Sequence, residues 1–155
     1  MFPEYVGPLR SFFMRQKTKE ALEVFGAGFM QPTDALLAAQ SGKYQSKPAQ
    51  LILAQKIAEY SKTDCFEPSK QNGILINGMK ALHYDEALVI LASAVHPDYA
   101  LTALPEAKSV LAQQILSRKL PIKHLADALL PNLDASVRAG IIGRLKFETA
   151  LPACF

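Results

Sequence analysis

The chain has 155 residues, 50% of them hydrophobic and 20% charged, and a formal net charge of +3. That length suits one domain whose core needs no disulfide or metal, the even spread of apolar residues argues against intrinsic disorder, and the net charge is too weak to imply nucleic acid. A chain this small and this apolar has too little interior to hide every apolar side chain, so some of that surface is expected to meet a partner.

The opening Met1-Phe2-Pro3-Glu4-Tyr5-Val6-Gly7-Pro8 has no basic leader before an apolar run, so it does not read as a signal peptide. Apolar runs elsewhere fall far short of the roughly 18 residues needed to span a bilayer. Cys65 and Cys154 stand far apart. The expectation is a reduced, cytoplasmic protein with no membrane partner.

Helix punctuation dominates the rest. Gly7-Pro8 and the stretch to Gln16 suggest a short first helix carrying Phe12 and Phe13, and Thr18 can cap a second that ends near Gly26. Pro32 sits in the first turn of a third, Thr33 to Gln40, which Gly42 stops. Ser46, with Pro48 just inside, opens a longer helix to about Tyr60, in which Leu51, Ala54 and Ala58 recur at helical spacing. Residues 64–67 read as a loop. The segment Pro68 to Leu82 contains Asn72-Gly73 and Asn77-Gly78, and Asn-Gly is the strongest short hairpin signal. Its flanks do not alternate, so it is read as a helix weakened by two glycines at roughly 1 kcal/mol each.

Ala87 to Val95 is apolar everywhere except Ser93, which predicts a central core helix surrounded on all sides and stopped by Pro97. Pro105 starts another, to about Arg118, with Leu104, Ala107, Leu111 and Ile115 on one face. Pro121 starts a third that ends before Pro131, and Asp134 caps a last one with Val137, Ile141 and Leu145 in a stripe. The apolar tail Leu151-Pro152-Ala153-Cys154-Phe155 is expected to dock on the body or on a partner. The fold class is therefore all-α: one domain over residues 1–155 with seven or eight helices. Its antiparallel helical hairpins form an α-solenoid-like stack or an irregular bundle, most regular over about 84–146.

A short fragment pair supports stacking. Leu91-Ala92-Ser93-Ala94-Val95-His96-Pro97-Asp98 aligns with Leu125-Ala126-Asp127-Ala128-Leu129-Leu130-Pro131-Asn132, 34 residues later. Each copy reads as a helix end, a proline stop and a capping side chain. The spacing is that of tetratricopeptide repeats, and Gly73, Ala92 and Pro97 fall at offsets which that motif uses. Its aromatic positions are absent and Asp85 stands where a small residue is wanted, so the stack is generic.

His96-Pro97-Asp98 resembles the loop by which J domains stimulate their chaperone ATPase partner, with Leu91-Ala92 at matching offsets; the resemblance implies a co-chaperone. The segment Ala81 to Ala107, however, carries Asp85, Glu86, Asp98 and Glu106 and no lysine or arginine, the wrong sign for that partner. The plainer reading is a proline stop followed by an aspartate cap. His83 and His96 stand at opposite ends of one helix, about 20 Å apart, and cannot share a metal or a proton. His124 reads as a surface residue. Neither cysteine lies in a motif, Ser93 lacks the glycines of a nucleophile elbow, and Gly26-Ala27-Gly28 lacks the third glycine of a dinucleotide loop. No cofactor, metal or catalytic residue is predicted.

Lys108 to Lys146 holds seven basic residues against Asp127 and Asp134. Arg118, Lys119 and Lys123, around one helix junction, are the candidate partner-binding residues, matched to an acidic protein. No aromatic residue is interleaved for base stacking, which argues against nucleic acid. The functional expectation is a non-enzymatic protein–protein interaction module: a small, bacterial-looking cytoplasmic adaptor, secretion-associated chaperone or immunity-type protein. The competing expectations are a small helical enzyme with a deep enclosed pocket, the J-domain-like co-chaperone, and a homodimer that hides the surplus apolar surface.

Overall fold

In the computed structural model the backbone is described over residues 3–150 and the side chains over residues 14–148. The predicted features at Phe12, Phe13 and the tail 151–155 lie outside the described side chains. Among the described residues there are eight α-helices and no strands: α1 Pro3–Phe29, α2 Pro32–Gln40, α3 Lys47–Ser61, α4 Pro68–Ala81, α5 Asp85–Ala94, α6 Ala100–Ala103, α7 Val110–Lys119 and α8 Ala135–Ala150. Short 3-10 turns join α5 to α6, extend α6, and fill the segment between α7 and α8.

The all-α expectation holds, with corrections in detail. The two predicted N-terminal helices are one, α1. The Thr18 hydroxyl donates to the Met14 carbonyl at 2.7 Å, so it bonds back into the helix and caps nothing. The predicted helix from Pro105 to Arg118 is broken at Ala107: Leu104–Glu106 is a 3-10 turn, and α7 begins only after Ser109, whose hydroxyl accepts from the Ala112 N–H at 3.4 Å. The break shifts the helical phase, so Leu111 is exposed and Ala112, Gln113 and Leu116 face inward. The predicted helix after Pro121 is two 3-10 turns, Ile122–His124 and Ala126–Ala128, which end before Pro131. The aligned fragments at 91–98 and 125–132 thus differ in local structure.

Elsewhere the chain follows its caps. Ser46 accepts from the Ala49 N–H at 3.4 Å, with Pro48 in the first turn of α3. Gly42 has φ +74°, the left-handed conformation that costs glycine least. Asn72-Gly73 and Asn77-Gly78 both lie inside α4. Asn72 is buried; its amide donates to the Pro68 carbonyl at 2.7 Å and accepts from the His96 N–H at 2.9 Å, tying α4 to the exit of α5. Gly78 marks a close approach, because a Cβ there would stand 3.0 Å from Leu91 Cδ1 and 3.2 Å from Ile57 Cγ2.

α5 is a core helix with one open side: Ala87, Leu88, Leu91 and Ala92 are buried while Ser93 is exposed. His96 corrects the capping assignment after it. Its Nδ1 accepts from the Asp98 N–H at 3.2 Å, so the histidine caps and Asp98 sits inside the turn.

α1, α3, α5, α7 and α8 adjoin in that order as one layer, with α2 and α4 against each other and across α3. The start of α3 meets the start of α5 through Lys47–Glu86 at 2.6 Å, so these layer neighbours run the same way.

One local pattern recurs in this layer. Ser46-Lys47-Pro48-Ala49-Gln50-Leu51-Ile52-Leu53 and Lys56 of α3 match Ser109-Val110-Leu111-Ala112-Gln113-Gln114-Ile115-Leu116 and Lys119 of α7. In both, the serine caps, the alanine and the second leucine are fully buried, and the glutamine is a buried amide. Gln50 Nε2 donates to the Tyr44 carbonyl at 3.0 Å while its Oε1 accepts from the His83 N–H at 3.2 Å. Gln113 Nε2 donates to the Ala107 carbonyl at 2.9 Å while its Oε1 accepts from the Asp134 N–H at 3.2 Å. Each glutamine thus fixes the entry loop of its own helix to the entry of the next helix in the layer.

Candidate functional site

The lysine that closes the recurring pattern decides what the basic residues do. Lys119 Nζ donates to the carbonyls of Ala92, Ser93 and Val95 at 3.0, 2.6 and 2.8 Å, closing the C-terminal end of α5. Lys56 does the same for α1, donating to the carbonyls of Gly28 and Met30 at 2.7 and 2.5 Å. Arg144 of α8 reaches the carbonyls of Ser117 and Leu120 at 2.8 and 3.0 Å, at the end of α7. Lys108 donates to the Lys80 carbonyl at 3.0 Å near the end of α4, whereas Arg138 ties the Leu130 carbonyl of the irregular segment before α8. Cations at helix C-termini meet orphan carbonyls and the negative end of the helix dipole, so these charges hold the fold together.

Of the three predicted partner-binding residues, Lys119 is therefore directed into the body. Burial pushes its ammonium below the usual lysine range. Arg118 is exposed on α7 and lines a shallow cleft against α8 that includes Ser117, Val137 and Ile141. Lys123 is exposed on the following 3-10 turn and lies outside that cleft.

The histidines are also apart. His83 Nδ1 is 3.1 Å from Gln50 Nε2, and His96 pairs with its own turn, 3.6 Å from the Asp98 carboxylate. Among the described residues no group of three His, Cys, Asp or Glu could hold a metal ion. A concavity of about 600 Å³ is a groove with mostly polar lining residues between α1 and the starts of α3 and α5. Arg15, Gln16, Lys19, Glu20 and Glu23 line it from α1, and Glu23 accepts from the Gln45 N–H at 2.6 Å.

That groove exposes an inversion in α1. Toward the body, Ala27 is fully buried, but over residues 16–23 the side facing α3 is polar. Toward solvent, Met14, Thr18, Ala21, Leu22, Phe25 and Phe29 recur at helical spacing along one face. Leu22, Phe25 and Phe29 are 66, 65 and 74% exposed, and the two rings stand 4.6 Å apart between centroids. The stripe runs about 22 Å along the helix at 1.5 Å per residue. A shallow depression of about 520 Å³ is formed on it by Met14, Thr18, Ala21, Leu22 and Phe25, with Lys17 at its edge. The stripe's spacing was legible in the sequence, but nothing in the spacing says which side faces the body.

Comparison with protein-family models, with curated proteins and with solved structures found no match. No single helix among the described residues is long and apolar enough to cross a membrane.

Proposed function

We infer that this chain is a non-enzymatic protein-binding module of the adaptor, secretion-chaperone or immunity type, acting in the cytoplasm. The observation that supports this reading is the inverted amphipathicity of α1. A contiguous row of large apolar side chains turned to water is unfavourable for a lone chain and favourable in a contact, at roughly 25 cal/mol per Å² covered. The candidate contact thus moves from the C-terminal basic residues to α1, with Arg118 and Lys123 as exposed charges on a separate part of the molecule.

The test is affinity capture followed by reconstitution from purified components. A partner that forms a stoichiometric complex with the native chain, and not with a Leu22→Glu, Phe25→Glu variant of unchanged thermal midpoint, supports the reading. Turnover by the purified chain in a hydrolase or transferase screen overturns its non-enzymatic half. A complex unaffected by that variant moves the contact elsewhere.

A further inference from the structure

Resting on the protein-binding reading, we propose that the cleft between α7 and α8 is a seat for one carboxylate, supplied by an acidic side chain of a protein partner and held between Arg118 and Arg144.

Donors reach this cleft from both helices. Gln114, Ser117 and Arg118 stand at i, i+3 and i+4 on one face of α7, and Arg144 faces them from α8. Arg144 is half-buried, and its bonds to the Ser117 and Leu120 carbonyls fix its guanidinium in place. A guanidinium has more N–H donors than those two carbonyls take. Neither the Arg118 guanidinium nor the Gln114 side-chain amide has a hydrogen bond or an ion pair among the described residues. No aspartate or glutamate lines the cleft. Its walls therefore hold unspent donors and positive charge, which an oxyanion satisfies.

Shape and charge select the occupant. The cleft holds about 280 Å³, and the buried Val137 and Ile141 contribute apolar lining. That lining suits methylenes while the arginines suit an oxyanion, the two ends of a glutamate side chain. Gly140 keeps the cleft open, since a Cβ there would meet nothing within 4 Å. The space is shallow and smaller than the roughly 300–1,000 Å³ of small-molecule sites, so a free metabolite would stay largely in water. A side chain is instead covered by the protein that carries it. Ser136, which also lines the cleft, is bonded to the Asp134 carboxylate. Two arginines against that one anion leave a single positive charge, which matches a carboxylate better than a phosphate dianion. The seat lies at the opposite end of the α1–α3–α5–α7–α8 layer from the α1 stripe, so the two contacts can be tested apart.

The test is an NMR titration of the full chain with two nonapeptides of glycine and serine, one with a central glutamate and its twin with glutamine. The glutamate peptide should shift the Nε–H signals of Arg118 and Arg144 saturably. It should bind at least tenfold tighter than its twin at low salt, with the gap shrinking as salt rises. Arg118→Met should weaken it at least fivefold. Gly140→Leu fills the cleft and keeps both arginines, and should abolish binding; Arg118→Met carries the test if Gly140→Leu lowers the thermal midpoint. Lys123→Met, outside the cleft, should change nothing. Equal affinity for the two peptides, binding of neither, or a Lys123→Met effect as large as that of Arg118→Met overturns the proposal. Inorganic phosphate that binds the cleft more tightly than the glutamate peptide overturns the carboxylate. A reconstituted protein complex that is lost in Leu22→Glu, Phe25→Glu but indifferent to Arg118→Met and Gly140→Leu overturns the seat as a partner contact while leaving protein binding intact.

Discussion

Gln113 holds the start of α7 as Gln50 holds the start of α3: each donates to a carbonyl six residues upstream and accepts from a backbone N–H at the entry of a later helix. Both residues are nearly inaccessible to water, Gln50 at 2% and Gln113 at 9% exposure. A leucine in either place fits the volume and strands a carbonyl and an N–H. We expect Gln50→Leu and Gln113→Leu each to cost about 2 kcal/mol, at 1–3 kcal/mol per buried unpaired group with some relief from water. Urea unfolding measures it, and a variant as stable as the native chain would mean that the amides are incidental.

Lys119→Met keeps most of the aliphatic stem and removes the ammonium from three carbonyls. A loss of about 1–2 kcal/mol is expected, discounted because the group is partly exposed. Arg118→Met and Lys123→Met, at exposed positions, should each stay within about 0.5 kcal/mol of the native chain. Equal effects at all three would contradict a stapling role for Lys119 alone.

The two glycines of α4 should respond with opposite sign. A Cβ at Gly73 meets nothing within 4 Å, so Gly73→Ala should stabilise by about 0.5–1 kcal/mol through helix propensity. At Gly78 the same Cβ lands 3.0 Å from Leu91 Cδ1, against a leucine that is fully buried and cannot swing away. Gly78→Ala should therefore lose about 1 kcal/mol net despite the propensity gain. Thermal melts of the pair decide it.

Asp134 opens α8 by accepting from the Ser136 N–H at 3.0 Å and from the Ser136 hydroxyl. These bonds, the hydroxyl first, hold its carboxyl below the ordinary value of 3.8. A carboxyl whose folded pKa is depressed contributes stability that is fully present above the unfolded value and lost as pH falls through the folded one. Asp134→Ala should lower the thermal midpoint by a few degrees at neutral pH. The difference from the native chain should begin to close below about pH 3.8. A constant difference down to pH 2 would contradict the cap.

The caps were the legible part of this fold. Ser46 and Asp134 announce their helices because an N-cap is a local transaction between a side chain and an N–H two or three residues on. Pro105 and Pro121 misled for the complementary reason: proline favours the first turn of a helix, but whether the turn continues depends on competing caps downstream. Ser109 and Gln113 restart the helix after Ala107, and no local signal ranks them above Pro105. Lys119 was legible as a charge and not as a staple, since its carbonyl partners lie more than twenty residues upstream. The recurrence of Ser-x-x-Ala-Gln-x-Ile-Leu-x-x-Lys at Ser46 and Ser109 could have revealed that role, because an identical lysine at an identical offset from a cap is not what a solvated face requires.

Lys56, Lys119 and Arg144 each belong to a helix made later than the one whose end they close. No such helix is complete when the ribosome finishes its last residue: α1 waits for α3, α5 for α7, and α7 for α8. The dependence runs backward on unfolding. Release of α8 takes Arg144 from the end of α7, and a loosened α7 withdraws Lys119 from α5. Amide exchange in the native state should therefore open in order from the C-terminal end of the layer inward, with α3 and α5 the last to exchange.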